Sequence, residues 1–194
     1  KQGTLMSFEE IEEAIPHIPI AKIKQVLAMN AEFISTGRGH YIHIDNVYLG
    51  EENLREISGI IQDGINNKEF ISGNELTDSI AKLFPEICEK NSDLPTLGLR
   101  NAIAYYLKDQ FSFNGNIISK YGRGLTMNDV FATYCKKHAI VTLDELNVLK
   151  NELGTVIYFD PVYENKLRIS ENEFVGKETV QFDIDRVDAA IERF

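Results

Sequence analysis

The chain has 194 residues, of which 43% are hydrophobic and 26% are charged, so it holds enough apolar material to bury a core. A formal net charge of −10 disfavours non-specific binding to nucleic acid unless the cations gather on one face. The given chain contains no apolar run of about 18 residues or more and no signal-peptide pattern. The sequence therefore predicts no membrane partner. The absence of a signal-peptide pattern, together with two isolated cysteines, Cys88 and Cys135, predicts a cytoplasmic location.

A short pattern recurs three times along the chain. A hydrophobic residue is followed by Ser or Thr, then by Glu three positions later, then by an aliphatic residue, in residues 5–11, 70–76 and 140–146. Each copy has the form of a capping box, in which the hydroxyl of Ser7, Ser72 or Thr142 caps a helix and the Glu reaches back. Three such boxes in matching hydrophobic frames at nearly equal intervals indicate three copies of one module.

Helical periodicity surrounds the boxes. Apolar residues at helical spacing predict a helix before the second and third boxes, over residues 51–66 and 126–138. A short helix follows each box. A further amphipathic helix is predicted over residues 20–30 and 96–110, with a proline just before each, where the missing N–H does little harm.

The next segments of the first two copies have a different character. Residues 33–44 and 111–119 have β-rich runs on both sides of a glycine-containing turn, and the second includes the dipeptide Asn114-Gly115. Asn-Gly between such runs is a strong hairpin signal. We therefore expect a two-stranded hairpin in each copy.

Three helices followed by a β-hairpin resemble the winged-helix superfamily and, more loosely, the tandem winged-helix segments of uncharacterised bacterial proteins. The resemblance rests on the order and spacing of elements and not on a diagnostic motif. It implies a mainly α fold with small β-hairpins (α+β), arranged as a tandem array of three winged-helix-like modules. The expected modules are residues 1–49, 50–122 and 123–194, joined by short linkers.

The first module departs from this pattern because its box has no room for a preceding helix. Residue 1 aligns with the turn after that helix in the other copies, so we expect a fragment of a longer protein. Without the helix, an apolar face should be partly exposed. Its members are Ile11, Ile15, Ile23 and Leu27.

The third module is expected to be degenerate. Residues 155–159 read as a strand in place of the third helix, residues 160–165 as a tight turn or one helical turn, and residues 166–175 as another strand. A C-terminal helix is predicted from apolar residues that share one helical face. They are Ile184, Val187, Ile191 and Phe194.

The resemblance implies that a third helix enters the DNA major groove while the wing contacts the backbone or the minor groove. Between residues 20 and 44 there are three basic residues and one acid, a local reversal of sign in an acidic chain. The candidate contacts in this module are Lys22, Lys24, Gln25, Asn30, Arg38 and His40, and Lys22, Lys24 and Arg38 are expected to share one exposed face. The second module offers Arg100 and Asn101. The competing interpretation is a solvated polar face that touches nothing.

Two classes of function remain open. One is a duplex-DNA-binding segment of a larger bacterial regulatory, defence or DNA-processing protein, with the first module making the contact. The other is a protein-interaction scaffold of acidic winged helices without nucleic-acid contact, whose partner is another protein or the missing upstream part of the chain. No nucleophile elbow, Walker A loop, zinc-protease motif or dinucleotide fingerprint is present. We expect no enzyme activity, catalytic residue, metal site or cofactor.

Overall fold

The computed structural model describes residues 5–180, which belong to two compact units that divide between Leu125 and Thr126. The first unit therefore contains both of the first two predicted modules. The second unit corresponds closely to the third. The predicted C-terminal helix, with Ile184, Val187, Ile191 and Phe194, lies outside the described residues.

The first unit is built from helices and short strands in two similar rounds. Its helices are α1 (Phe8–Ala14), α2 (Ile20–Met29), α3 (Glu51–Lys68), α4 (Gly73–Leu83), α5 (Pro85–Lys90) and α6 (Thr96–Leu107). Its strands are β1 (Met6–Ser7), β2 (Phe33–Gly37), β3 (His40–His43), β4 (Phe70–Ser72), β5 (Phe111–Asn114) and β6 (Ile117–Lys120). We call β1 to β3 with their helices repeat 1, and α3 to β6 repeat 2.

The two sheets of this unit have the same strand order, β1-β3-β2 and β4-β6-β5, and every pairing in them is antiparallel. In each sheet the short strand before the capping box pairs with the returning strand of the hairpin. Met6 lies opposite Tyr41 in the first sheet, and Ile71 lies opposite Ile118 in the second. The predicted hairpins therefore form, and the fold is α+β as expected.

The second unit, which we call repeat 3, follows the same order. It contains α7 (Met127–Lys137), β7 (Ile140–Thr142), α8 (Leu143–Leu153), α9 (Phe159–Asn165), β8 (Lys166–Arg168) and β9 (Glu173–Gly176), with strand order β7-β9-β8. The strand predicted at residues 155–159 is wrong, because Phe159 begins α9. Residues 155–158 form no strand, and the single strand expected over residues 166–175 is instead the antiparallel pair β8 and β9. Val162 of α9 is instead buried in the core.

All three box hydroxyls cap helices as predicted. The Ser7 hydroxyl accepts from the Glu10 N–H at 3.2 Å, and the Glu10 carboxylate accepts from the Ser7 N–H at 2.7 Å. Thr142 and Glu145 make the same pair of bonds at 3.2 and 2.7 Å. At the second box, the Ser72 hydroxyl accepts a hydrogen bond from a backbone N–H at 3.1 Å. These bonds give acceptors to backbone N–H groups at the helix N-terminus that have no partner within the helix.

One continuous apolar core runs through repeats 1 and 2. The joint between the repeats is fixed by the buried side chain of Asn91. Its amide nitrogen donates to the Tyr48 carbonyl at 3.0 Å and to the Ile87 carbonyl at 2.8 Å, while its amide oxygen accepts from the Tyr48 N–H at 2.9 Å. Tyr48 belongs to residues 46–50, the short linker expected between the first two modules, and these bonds hold it within the first unit.

Helix α3 crosses the second sheet at very close range. A Cβ atom added to Gly64 would lie 2.8 Å from the Cβ of Ile71, whereas one added to Gly59 of the same helix would meet nothing within 4 Å. The missing side chain at Gly64 thus sets how closely α3 approaches β4.

These two glycines give a matched prediction. Gly64→Ala should destabilise the protein by about 1–3 kcal/mol, because the new methyl group overlaps a Cβ that is fixed to the backbone of a strand. Gly59→Ala should stabilise it by about 0.5–1 kcal/mol, because alanine is the better helix former and the space is open. Urea unfolding followed by circular dichroism measures both; two changes of the same sign would contradict this account of α3.

The core of repeat 3 includes one buried cation. Lys166 is 4% exposed, and its ammonium donates to the His138 carbonyl at 2.6 Å and to the Ala139 carbonyl at 3.1 Å. These carbonyls directly follow α7. The lysine therefore satisfies polar backbone groups between that helix and β7.

We predict that Lys166→Met destabilises the second unit by about 2 kcal/mol, because methionine keeps the apolar stem and leaves the two carbonyls without their donor. Lys177→Met is the control, since Lys177 is exposed and should change stability by less than about 0.5 kcal/mol. Thermal unfolding of the two variants against the parent protein tests the difference. Equal stability of the Lys166 variant and the parent would contradict a structural role for the ammonium.

Candidate nucleic-acid interface

Helix α2 presents a polar outer surface. It buries Ile23 and Leu27, and the rotation of about 100° per residue leaves Gln25 on the opposite side, with Lys22 and Lys24 on its two flanks. The Lys22 ammonium donates to the Gln25 side-chain oxygen at 3.2 Å. The two predicted lysines thus border the same exposed amide from opposite sides instead of lying together.

Lys24 lies on the flank that approaches the hairpin of strands β2 and β3. Its ammonium is 5.1 Å from the ring centroid of Phe8, and the Phe8 ring is 5.3 Å from the ring of Tyr41 in β3. A Cβ added to Gly39 in the turn would lie 3.0 Å from the same phenylalanine. Phe8 therefore joins one side of α2 to the hairpin.

The hairpin turn projects a cation. Gly37, Arg38 and Gly39 all have positive φ angles, of 96°, 52° and 77°, and Arg38 is exposed. The two glycines tolerate this left-handed backbone without a steric cost, which allows so tight a turn. The Nδ1 atom of His40 lies 3.2 Å from the Arg38 carbonyl, so this imidazole stays beside the turn.

A carboxylate lies among these cations. The pKa of Glu9 is lowered, first by a hydrogen bond with its own backbone N–H and next by one with the Ser7 hydroxyl. The charges of His40 and Lys24 lower it further. Glu9 therefore lies near Lys24 and His40, where it offsets part of the positive potential of Lys24 on this side of the first unit.

Asn30 has a local structural role. It ends α2, where its N–H donates to the Val26 carbonyl at 2.9 Å and its side-chain oxygen accepts from the Glu32 N–H at 3.0 Å. These bonds turn the chain from α2 into β2. The hydrogen bonds of Asn30 thus account for an asparagine at the end of α2 without any contact to DNA.

The two candidates from repeat 2 hold the first unit together. The Asn101 amide donates to the Ser35 carbonyl of β2 at 2.8 Å. The half-buried Arg100 guanidinium donates to the side-chain oxygen of Asn116, and burial lowers its pKa. Beside them, a Cβ on Gly98 would lie 2.8 Å from the Thr36 side chain, so α6 lies directly on the repeat 1 hairpin. This face of α6 is covered by protein.

An apolar groove of about 470 Å³ opens beside α2. It runs between α1, α2 and the first sheet, and Lys22 and His43 supply two of its few polar lining groups. Of the predicted exposed apolar face, Ile23 and Leu27 are buried, while Ile11 and Ile15 are half-buried; all four line the groove. The apolar lining includes Met6, Ile18, Val26, Phe33 and Tyr41 as well.

Within residues 5–180, no group of three or more His, Cys, Asp or Glu side chains is placed to hold a metal ion. None of the helices in that range combines the length and apolar character needed to cross a bilayer. Comparison of the chain with protein-family models, curated proteins and solved structures found no match.

Proposed function

We propose that the chain binds duplex DNA through α2 and the β2–β3 hairpin, as a segment of a larger bacterial regulatory, defence or DNA-processing protein. The observation that carries the proposal is the junction at Phe8, where Lys24 of α2 comes beside the hairpin that bears Arg38 and His40. The order of helices and strands agrees with the winged-helix arrangement, in which a helix and a hairpin contact DNA together.

Each exposed group has a distinct part in this proposal. Gln25 faces outward from the middle of α2 and is suited to a base edge, since its amide both donates and accepts. Lys22 and Lys24, on the two flanks of α2, reach phosphates on the two sides of the major groove. Arg38, in the hairpin turn, contacts the DNA backbone. These phosphate contacts set the position of the protein on the duplex without reading sequence.

The proposed interface is confined to repeat 1. Arg100 and Asn101 bond to Asn116 and to the Ser35 carbonyl, and we assign them no DNA contact. Because only a few cations are left and the chain carries a net charge of −10, binding should be modest in strength and strongly dependent on salt.

A titration with fluorescent duplex DNA tests the proposal. Binding should be measurable by anisotropy at about 50 mM salt and should weaken steeply by about 150 mM. Reversal of Lys24 and Arg38 to Glu should abolish it, because two phosphate contacts become repulsive. The matched control reverses Lys136 and Lys137, two exposed lysines at the end of α7, and should leave affinity within about twofold.

Two results of this titration would contradict DNA binding through repeat 1. No binding of the parent protein even at low salt would overturn the DNA proposal. Equal losses in the two double variants would show that affinity follows net charge alone.

A further prediction concerns Glu9. Glu9→Gln should tighten DNA binding by about two- to fivefold at low salt, since it removes an anion near Lys24 and His40. Glu12→Gln is the control, because Glu12 is an exposed acid about one turn further along the same helix. The same anisotropy titration measures both variants. Equal gains from the two substitutions would show a general effect of net charge and no special position for Glu9.

A second candidate function is protein binding without nucleic-acid contact. Two observations favour it: the acidic net charge of the chain and the open apolar groove beside α2. Exposed apolar surface of this kind marks interaction sites in many proteins.

A further inference from the structure

The two repeats of the first unit differ in what covers one face of the sheet. In repeat 2, α3 lies across this face and buries Ile57 and Ile61 completely. The residues of the same core from the sheet and from α4 are also buried. They are Ile71, Leu76, Ile80 and Ile118, none more than 2% exposed.

The corresponding face of repeat 1 is the groove. The capping boxes and the strand registers match Met6 with Ile71, Ile11 with Leu76, Ile15 with Ile80 and Tyr41 with Ile118. All four repeat 1 side chains are partly exposed and line the groove. Within residues 5–180, no helix of the first unit lies over them as α3 lies over their counterparts.

Repeat 3 also begins with an amphipathic helix that is buried on one side. Its first helix, α7, packs on α9 and buries Val130, Phe131 and Cys135. In repeat 2, therefore, an amphipathic helix covers this sheet face, and in repeat 3 the first helix packs on α9. The groove of repeat 1 has the apolar character of a surface that a helix covers elsewhere in the same chain.

The packing of α3 defines which helix would fit. Ile57 and Ile61 are separated by one helical turn, and Gly64 follows where the helix comes within contact of β4. This is a stripe at positions i, i+4 and i+7, with two aliphatic residues and then a small one. The groove adds one cation, because Lys22 is part of its lining.

We propose that the groove binds an amphipathic α-helix of a partner protein. The helix carries aliphatic residues at i and i+4, a small residue at i+7, and a carboxylate that faces Lys22. Binding of this kind buries an apolar helix face in a preformed groove. The proposal deepens the second candidate function and rests on it. DNA binding uses Lys24 on the other flank of α2 and Arg38 in the hairpin turn, and Lys22 is the one residue that both proposals use.

The chain itself supplies a probe for the test. A fluorescent, end-blocked peptide with the sequence of residues 51–68 carries the required stripe, and titration with the intact protein should give saturable binding with one site per chain. A peptide with Ile57→Asp and Ile61→Asp should bind at least about tenfold more weakly, because two charges would enter an apolar groove.

A matched pair of protein variants locates the site. Val26 lines the groove and is 43% exposed, whereas Val148 lies on α8 in the second unit and is 58% exposed. Val26→Glu should weaken peptide binding at least about tenfold and Val148→Glu by less than about twofold. Circular dichroism melts should show both variants folded, since each residue is already partly exposed.

Three results would overturn the proposal. They are the absence of saturable peptide binding, equal affinity for the two peptides, and equal affinity of the two protein variants. Sedimentation equilibrium adds a fourth: a dimer of the parent protein that Val26→Glu dissociates would assign the groove to a second copy of the chain. The DNA titration of the parent protein shows separately whether the first proposed function holds.

Discussion

The first unit depends on the close approach of α6 to the hairpin of repeat 1. Gly98 has no side chain where Thr36 comes nearest, and three residues further along α6 the Asn101 amide donates to the Ser35 carbonyl. A larger residue at position 98 would force the helix and the strand apart. Because of this contact, repeats 1 and 2 share one core, and the face of α6 that a lone module would expose is covered.

Both surfaces for which we propose a function lie in repeat 1. On one flank of α2, Lys24 meets the hairpin through Phe8; on the other, Lys22 borders the apolar groove. The two surfaces would bind their partners through different interactions. Phosphate binding would depend on cations and weaken with salt, whereas a helix in the groove would be held mainly by apolar burial, which moderate salt affects little. Salt dependence therefore distinguishes which surface is engaged.

Local sequence was sufficient to predict the elements whose causes are local. Each capping box forms bonds among residues three apart. The turn of the second hairpin, Gly115-Asn116 between the paired residues Asn114 and Ile117, needs only the positive φ that Gly115 accepts. The caps, the main helices and the two hairpins could therefore be predicted. Strands β1, β4 and β7 were not predicted, although each includes the hydrophobic residue before a cap. Two or three residues become a strand only when a distant hairpin pairs with them, and that partner is invisible in a local window.

The sequence by itself determined the three-fold pattern, the α+β class and the concentration of cations in repeat 1. The tertiary structure alone decided which of those polar residues remain exposed. Arg100 and Asn101 lie on α6, the helix of repeat 2 that corresponds to α2, which carries Lys24 and Gln25. They nevertheless bond within the first unit because α6 packs against β2. It also decided that the segment 155–159 forms no strand and that α9, which begins at Phe159, buries Val162 in the core. Local preference selects what a segment can form, whereas packing between residues far apart in sequence selects what it forms and which of its faces meets solvent.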